Sequence, residues 1–322
     1  MKSTCSPLRL VTTLLLVLSG ACGLAYAAAP AAGTAFAGEQ VCEAEWHDAP
    51  RSRIIPVRIR MPTGTNMTPV ILFSHGLGGD LDAGTLWAKA WVADGNAVIH
   101  LQHAGSDSDM LGGGKLHRAI SIEQLRARAS DVQFVIGEIE RHPREGSCEL
   151  NRIDLRRVGV AGHSFGAQTT LAVAGQTFPR ANVELSDPRI KAAVALSPQP
   201  ALAQPDEIAF AGITMPFLSI TGTKDVLPWL DEVTAQDRER PFRAMAPGDK
   251  FLLVLQGATH RMFGGQDNLR LTDSAPPAHV REAVTQATTL FWRAALREDA
   301  EARRRLERFG ATLAPGDRFE HR

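Results

Sequence analysis

Val158-Gly159-Val160-Ala161-Gly162-His163-Ser164-Phe165-Gly166-Ala167 reads as a short apolar strand that passes through G-x-S-x-G into a helix. That sequence is a strand-to-helix elbow. The small residues two before and two after Ser164 let neighbouring chains approach closely, and the turn holds the serine in strained backbone geometry. Such a turn presents the serine hydroxyl at the carboxyl end of a sheet, beside the free N–H groups of a helix N-terminus. Five residues match by chance often, but the strand-like Val158–Ala161 before them and the helical Ala167–Ala174 after them supply the required context.

The pattern around the elbow repeats. Ile54–Arg60 alternates apolar and basic residues, as in a half-exposed strand, and Val70–Phe73, Ala97–Leu101, Ile190–Leu196, Phe217–Thr221 and Phe251–Leu255 are short apolar runs of buried-strand type. Helical spacing appears between them: Leu86–Ala93, Ser121–Arg141 and Ala278–Leu296, with a charged helix at Glu298–Arg308 and a polar tail behind it. Strands separated by helices predict an α/β fold with a mostly parallel sheet. No internal repeat or linker divides the chain, so residues 50–322 are expected to form one domain.

Residues 1–27 read as a signal peptide: Lys2 and Arg9, the apolar run Leu10–Leu18, and Ala25-Tyr26-Ala27 as cleavage site. The alternative is lipoprotein processing at Leu18-Ser19-Gly20-Ala21-Cys22, which would anchor the chain through Cys22. Residues 28–49 are a leader, rich in Ala and Gly at first, and the start of the strand region. A secreted or periplasmic protein is the expectation, and it predicts a Cys42–Cys148 disulfide once the signal segment takes Cys5 and Cys22 away. Lys+Arg and Asp+Glu both number 35, so no basic surface argues for nucleic acid. No later apolar run is long enough to span a membrane.

A serine nucleophile needs a base, and the base an orienting carboxylate. In this strand–helix arrangement their chain order is Ser, acid, His. Of the histidines after Ser164, His260 alone follows a strand and a turn; His279 begins a helix and His321 lies in the tail. Asp225 follows the strand Phe217–Thr221, whereas Asp187 precedes its strand and Asp206, Asp231 and Asp249 lack a strand that would deliver them. The oxyanion donors are expected to be the N–H groups of Phe165 and Leu77, the latter in Ser74-His75-Gly76-Leu77-Gly78-Gly79. His75 is expected as a local support or pocket wall, His103 in a structural or pocket-lining role, and Met110 and Leu111 in the substrate pocket.

Phe73-Ser74-His75-Gly76-Leu77-Gly78, Gln102-His103-Ala104-Gly105-Ser106-Asp107 and the elbow at Ser164 together resemble the platelet-activating-factor acetylhydrolase and dienelactone-hydrolase-like branch of the α/β-hydrolases. The resemblance spans about residues 50–300. It implies the α/β-hydrolase fold and ester hydrolysis by a triad without cofactor or metal, acting on small or lipid-like esters. Two positions depart from the pattern. Dienelactone hydrolases use a Cys where this chain has Ser164. The acetylhydrolase acid falls at Ser197 here, which moves the acid to Asp225.

Competing readings are weaker. His100 and His103 have ligand-like spacing but no completing carboxylate or Cys motif. Asp107 and Asp109 do not form an EF-hand loop. Gly112-Gly113-Gly114-Lys115-Leu116 lacks the P-loop spacing and hydroxyl. A non-catalytic ligand-binding module on the same fold, or a peptidase or acyltransferase using the same triad, are the alternatives. Oligomeric state is open.

Overall fold

Thr68–Ser74 (β3) is apolar on both faces and buried along its whole length, as a central parallel strand must be. Successive side chains point to opposite faces, so Val70 and Leu72 join one core layer and Ile71 and Phe73 the other. The computed structural model describes Met1 and residues 38–110, 120–178, 183–201, 203–227, 233–266 and 276–322. The expected signal segment after Met1, Cys22 and most of the leader lie outside these. Contacts divide the chain into Met1–Thr34 and Ala35–Arg322, and every element named below lies in the second unit.

The architecture is α/β, with one mostly parallel nine-stranded sheet. Its strands are β1 (Glu39–Asp48), β2 (Arg53–Pro62), β3, β4 (Ala97–Leu101), β5 (Ile153–His163), β6 (Ile190–Leu196), β7 (Phe217–Lys224), β8 (Lys250–Thr259) and β9 (Arg318–His321). They lie in the order β1-β2-β4-β3-β5-β6-β7-β8-β9. β3 to β8 run parallel, while β1, β2 and β9 pair antiparallel to their neighbours.

Helices cover both faces. α2 (Ile122–Arg141) and α3 (Phe165–Val173) pack into one core layer; α1 (Thr85–Ala93), α6 (Ala278–Arg297) and α7 (Ala300–Glu307) pack into the other. Two short helices, α4 (Asp206–Phe210) and α5 (Arg240–Ala244), lie between β6 and β8 in sequence. α2 starts where Ser121 accepts the Gln124 N–H at 3.2 Å and ends with Arg141 in its last turn, favourable at both dipole ends. Among the described residues no helix is long and apolar enough to cross a membrane.

One segment sharpens the sequence expectation and another departs from it. The sheet begins at Glu39, because Cys42, Ala44 and Trp46 alternate inward along β1 while Glu43 and Glu45 stay in water. The polar tail is not a tail: Arg318–His321 adds the edge strand β9, with His321 stacked on Phe251 at 4.5 Å. Cys42 on β1 and Cys148 stand at bonding distance, S–S 2.07 Å, across 106 residues of chain. The link ties the outermost strand to the turn behind α2, and closing so long a loop removes much freedom from the unfolded chain.

Candidate active site

Ser164 takes φ 57° and ψ −115°, between the end of β5 and the first residue of α3. A non-glycine residue there is strained by roughly 1–3 kcal/mol, so the surroundings must hold it. The flanking glycines show how. A Cβ on Gly166 would lie 1.9 Å from the Ser74 carbonyl oxygen, and one on Gly162 would lie 2.3 Å from that of Gly166. No side chain fits in either place. The crossing presses the end of β3 against the elbow and forces the serine outward.

His260 follows β8 and Asp225 follows β7, at the same carboxyl edge of the sheet as Ser164. Asp225 Oδ1 lies 2.7 Å from His260 Nδ1, and His260 Nε2 lies 2.8 Å from Ser164 Oγ. Burial pushes the Asp225 carboxyl up, but the His260 hydrogen bond and the Arg238 guanidinium outweigh it and hold it below the usual carboxylate range. A carboxylate can only accept. His260 therefore carries its proton on Nδ1 and leaves Nε2 free to accept from the Ser164 hydroxyl. The chain brings together the three side chains that the sequence singled out. Asp187, Asp206 and Asp249 are instead held by Arg189, Arg240 and Arg303. Asp231 lies outside the described residues.

Several supports escaped the sequence reading. Arg238 is fully buried, with Nε 2.9 Å from Asp225 Oδ1 and a hydrogen bond to the Asp225 carbonyl. The Thr221 hydroxyl donates to Asp225 Oδ2 at 2.8 Å. His163 Nε2–H donates to the His260 carbonyl at 2.9 Å, fixing His260 from behind. Residues just past His260 dock on the start of α1. Gly84 N–H and Leu86 N–H donate to the carbonyls of Gly264 and Gly265, both at 2.8 Å, and the Trp87 indole donates to that of Phe263. The first-turn amides of a helix need such partners, and here they are satisfied by the loop that carries the base.

The expected oxyanion donors lie on either side of the serine. Phe165 opens α3, so its N–H has no partner within the helix. Leu77 follows Gly76, where a Cβ would sit 3.4 Å from Ser164 Cβ. The loop is held in turn, since Gly78 N–H donates to the Ser106 carbonyl at 2.8 Å.

Of the two roles expected for His75 and His103, their contacts show support. His75 is 1% exposed, and both of its ring nitrogens are taken: Nδ1–H donates to the Gly76 carbonyl and Nε2 accepts the His103 N–H. His103 is fully enclosed, with Nδ1–H on Asp131 and Nε2 accepting from Ser74. Both histidines buttress the loops. Neutral imidazoles can make two hydrogen bonds each, and that is how they are used. Met110 ends a short turn at Ser108–Met110, but its side chain, and Leu111 entirely, lie outside the described residues. Ser197 follows β6 with φ 58°, and Asp225 stands one strand further on. Among the described residues no group of three or more ligand-type side chains could hold a metal ion.

Burial lowers four histidines: His100 and His163 to about 3, His103 to about 4, and His75 well below its ordinary value. The unfolded chain binds these protons at about pH 6.5, and the folded chain refuses them. Their stabilisation is therefore complete above that pH and is lost as pH falls toward the folded values. Each histidine contributes a slope of up to about 1.4 kcal/mol per pH unit. The urea midpoint should stay level from pH 8 to 7 and drop steeply from about pH 6 to 4. A midpoint that is flat across that lower span would contradict the account.

The site defines a class: an α/β protein with a hydrogen-bonded Ser–His–Asp set at the carboxyl edge of its sheet. Comparison with protein-family models gives no match. A search of curated proteins gives none either.

Proposed function

We propose that this chain is a serine hydrolase of the α/β-hydrolase fold that cleaves carboxylic esters. The observation that carries the reading is the continuous Asp225–His260–Ser164 hydrogen-bond chain ending on a serine held at positive φ. The connectivity supports it as well. The loops after β3, β5, β7 and β8 bring in the expected oxyanion donor, the nucleophile, the acid and the base, in the order that fold uses.

The chemistry is two-step acyl transfer. Ser164 Oγ attacks the ester carbonyl carbon as its proton passes to His260 Nε2. The carbonyl oxygen becomes an oxyanion facing the N–H groups of Leu77 and Phe165. Collapse breaks the bond to the alcohol, which leaves with the proton from His260. Water then attacks the acyl-serine, giving one proton to His260, and the second collapse returns that proton to Ser164 Oγ and releases the acid. Asp225 stays ionised throughout and stabilises the imidazolium. Export to an oxidising compartment belongs to the same proposal, and the Cys42–Cys148 pair supports it.

The folded chain should react with a fluorophosphonate at Ser164, located by mass spectrometry of the modified peptide, and hydrolyse short p-nitrophenyl esters faster than peptide amides. A chain that neither labels nor turns over esters is not a serine hydrolase.

A further inference from the structure

Arg128 is completely buried on α2. Its guanidinium is distributed over three segments that meet behind Ser164. Nε donates to Thr169 Oγ1 at 2.8 Å on α3, and Nη1 donates to Ser106 Oγ at 2.8 Å in the loop after β4. Nη2 donates to Ser74 Oγ at 3.0 Å and to the His75 carbonyl, where β3 runs into the Leu77 loop. The guanidinium carbon also lies 4.6 Å from the centre of the Phe165 ring. Every one of these hydrogen bonds ends on a neutral oxygen. Asp131 and Asp107 act on Arg128 only through space, and Asp131 is itself bonded to Arg51, Arg53 and His103. Burial brings Arg128 down to about 9, which leaves it charged at neutral pH.

A buried cation with no bonded carboxylate is expensive, and apolar packing would fill the same volume at less cost. The bonds explain what it does instead. Leu77 and Phe165 belong to different segments, one a loop after β3 and the other the first turn of α3. Their N–H groups can converge on one oxygen only if those segments are locked together. Ser74, His75, Thr169 and the Phe165 ring are the points where Arg128 holds them.

We propose that Arg128 is a positioning residue for the oxyanion site, clamping the Leu77 loop to the Phe165 helix and setting a fixed positive charge between the two segments that carry the donors. The proposal rests on the serine-hydrolase reading. A rigid clamp and a fixed charge matter most when the oxyanion forms, because pre-oriented dipoles and charges stabilise developing charge without reorganising. Binding of the uncharged ester should barely change.

The test uses the full chain as Arg128→Met and Arg128→Lys, a short p-nitrophenyl ester, phenylboronic acid and thermal unfolding. Phenylboronic acid adds to the serine oxygen and gives a tetrahedral anion. Arg128→Met should lower kcat by about 100-fold, with KM within about threefold, and weaken boronate inhibition by about the same 100-fold. Arg128→Lys keeps the charge but not the fork, and should fall between the two, about tenfold below the wild type. A merely structural role would lower the unfolding temperature while kcat per folded molecule and boronate affinity stayed put, and that result overturns the proposal. Should Arg128→Met fail to fold, Arg128→Lys decides alone: kcat and boronate affinity matching the wild type within about threefold overturn it. A wild type that neither turns over the ester nor binds boronate overturns the hydrolase reading itself, and so is told apart from a failure of Arg128 alone.

Discussion

Ser164→Ala should lower kcat by about 10⁵–10⁶-fold and leave the fold intact. The size follows from the geometry. Only the Ser164 hydroxyl lies 2.8 Å from His260 Nε2, and alanine leaves the base with nothing to deprotonate except water. The oxyanion donors remain, so a residual rate over the uncatalysed reaction should persist. The elbow supplies a second readout at the same position. Alanine keeps a Cβ at φ 57° and therefore keeps the strain, whereas glycine occupies that region freely. Ser164→Gly should be inactive too, yet more stable than Ser164→Ala by about 1 kcal/mol, the relieved strain less the extra chain entropy of glycine. Activity of either variant within about tenfold of the wild type would remove Ser164 from the mechanism. Equal unfolding temperatures for the two would remove the strain.

How far the sequence carried this account depended on whether the signal was local. The elbow is local: five residues between a strand and a helix fix the backbone, and the structure adds only that the Ser74 carbonyl is what Gly166 must clear. Asp225 and His260 were legible because each follows a strand, and parallel strands deliver their loops to one edge. Arg238 was not legible. It follows no strand and belongs to no periodic face, and it reaches Asp225 only through the packing of a one-turn 3-10 helix, Gln236–Glu239. The choice between support and pocket wall for His75 and His103 was illegible for a related reason. They stand in Gly-rich loops beside the serine, so they look like pocket walls; the partners that fix them, the His103 N–H for His75 and Asp131 for His103, each lie 28 residues along the chain. The helix α2 did carry a cue. Arg128 sits between Leu125 and Val132, on the buried stripe of α2. A charged residue on an apolar stripe is rarely placed there without a partner to meet. The β9 strand had the weakest signal of all, four residues long with only Phe319 apolar, and it forms because β8 offers an open edge.

Asp225→Asn should lower kcat by about 10³–10⁴-fold while leaving the tautomer of His260 unchanged. Replacing such an aspartate by asparagine commonly turns the amide N–H₂ toward the imidazole and reverses its protonation. Here the amide is not free to choose. Oδ1 accepts the His260 Nδ1–H at 2.7 Å and lies 2.9 Å from the Arg238 Nε, whose positive charge disfavours an N–H₂ there, while Oδ2 faces the Thr221 hydroxyl, which can rotate to accept. The asparagine oxygen must therefore take the Oδ1 position and its N–H₂ the Oδ2 position. The imidazole keeps its proton on Nδ1, and Nε2 still faces Ser164. What is lost is the negative charge. The imidazolium that forms during attack is left beside the Arg238 cation with no carboxylate between them, so the barrier rises for electrostatic reasons alone. The same substitution leaves Arg238 buried and unpaired, which should destabilise the fold by about 3–5 kcal/mol. Nitrogen-15 shifts of the imidazole report which ring nitrogen holds the proton, and steady-state kinetics with urea unfolding report the rest. An Nε2-protonated His260 in Asp225→Asn would show that Arg238 does not set the orientation of residue 225. A kcat within about tenfold of the wild type would show that the charge of Asp225 is not what the imidazolium depends on.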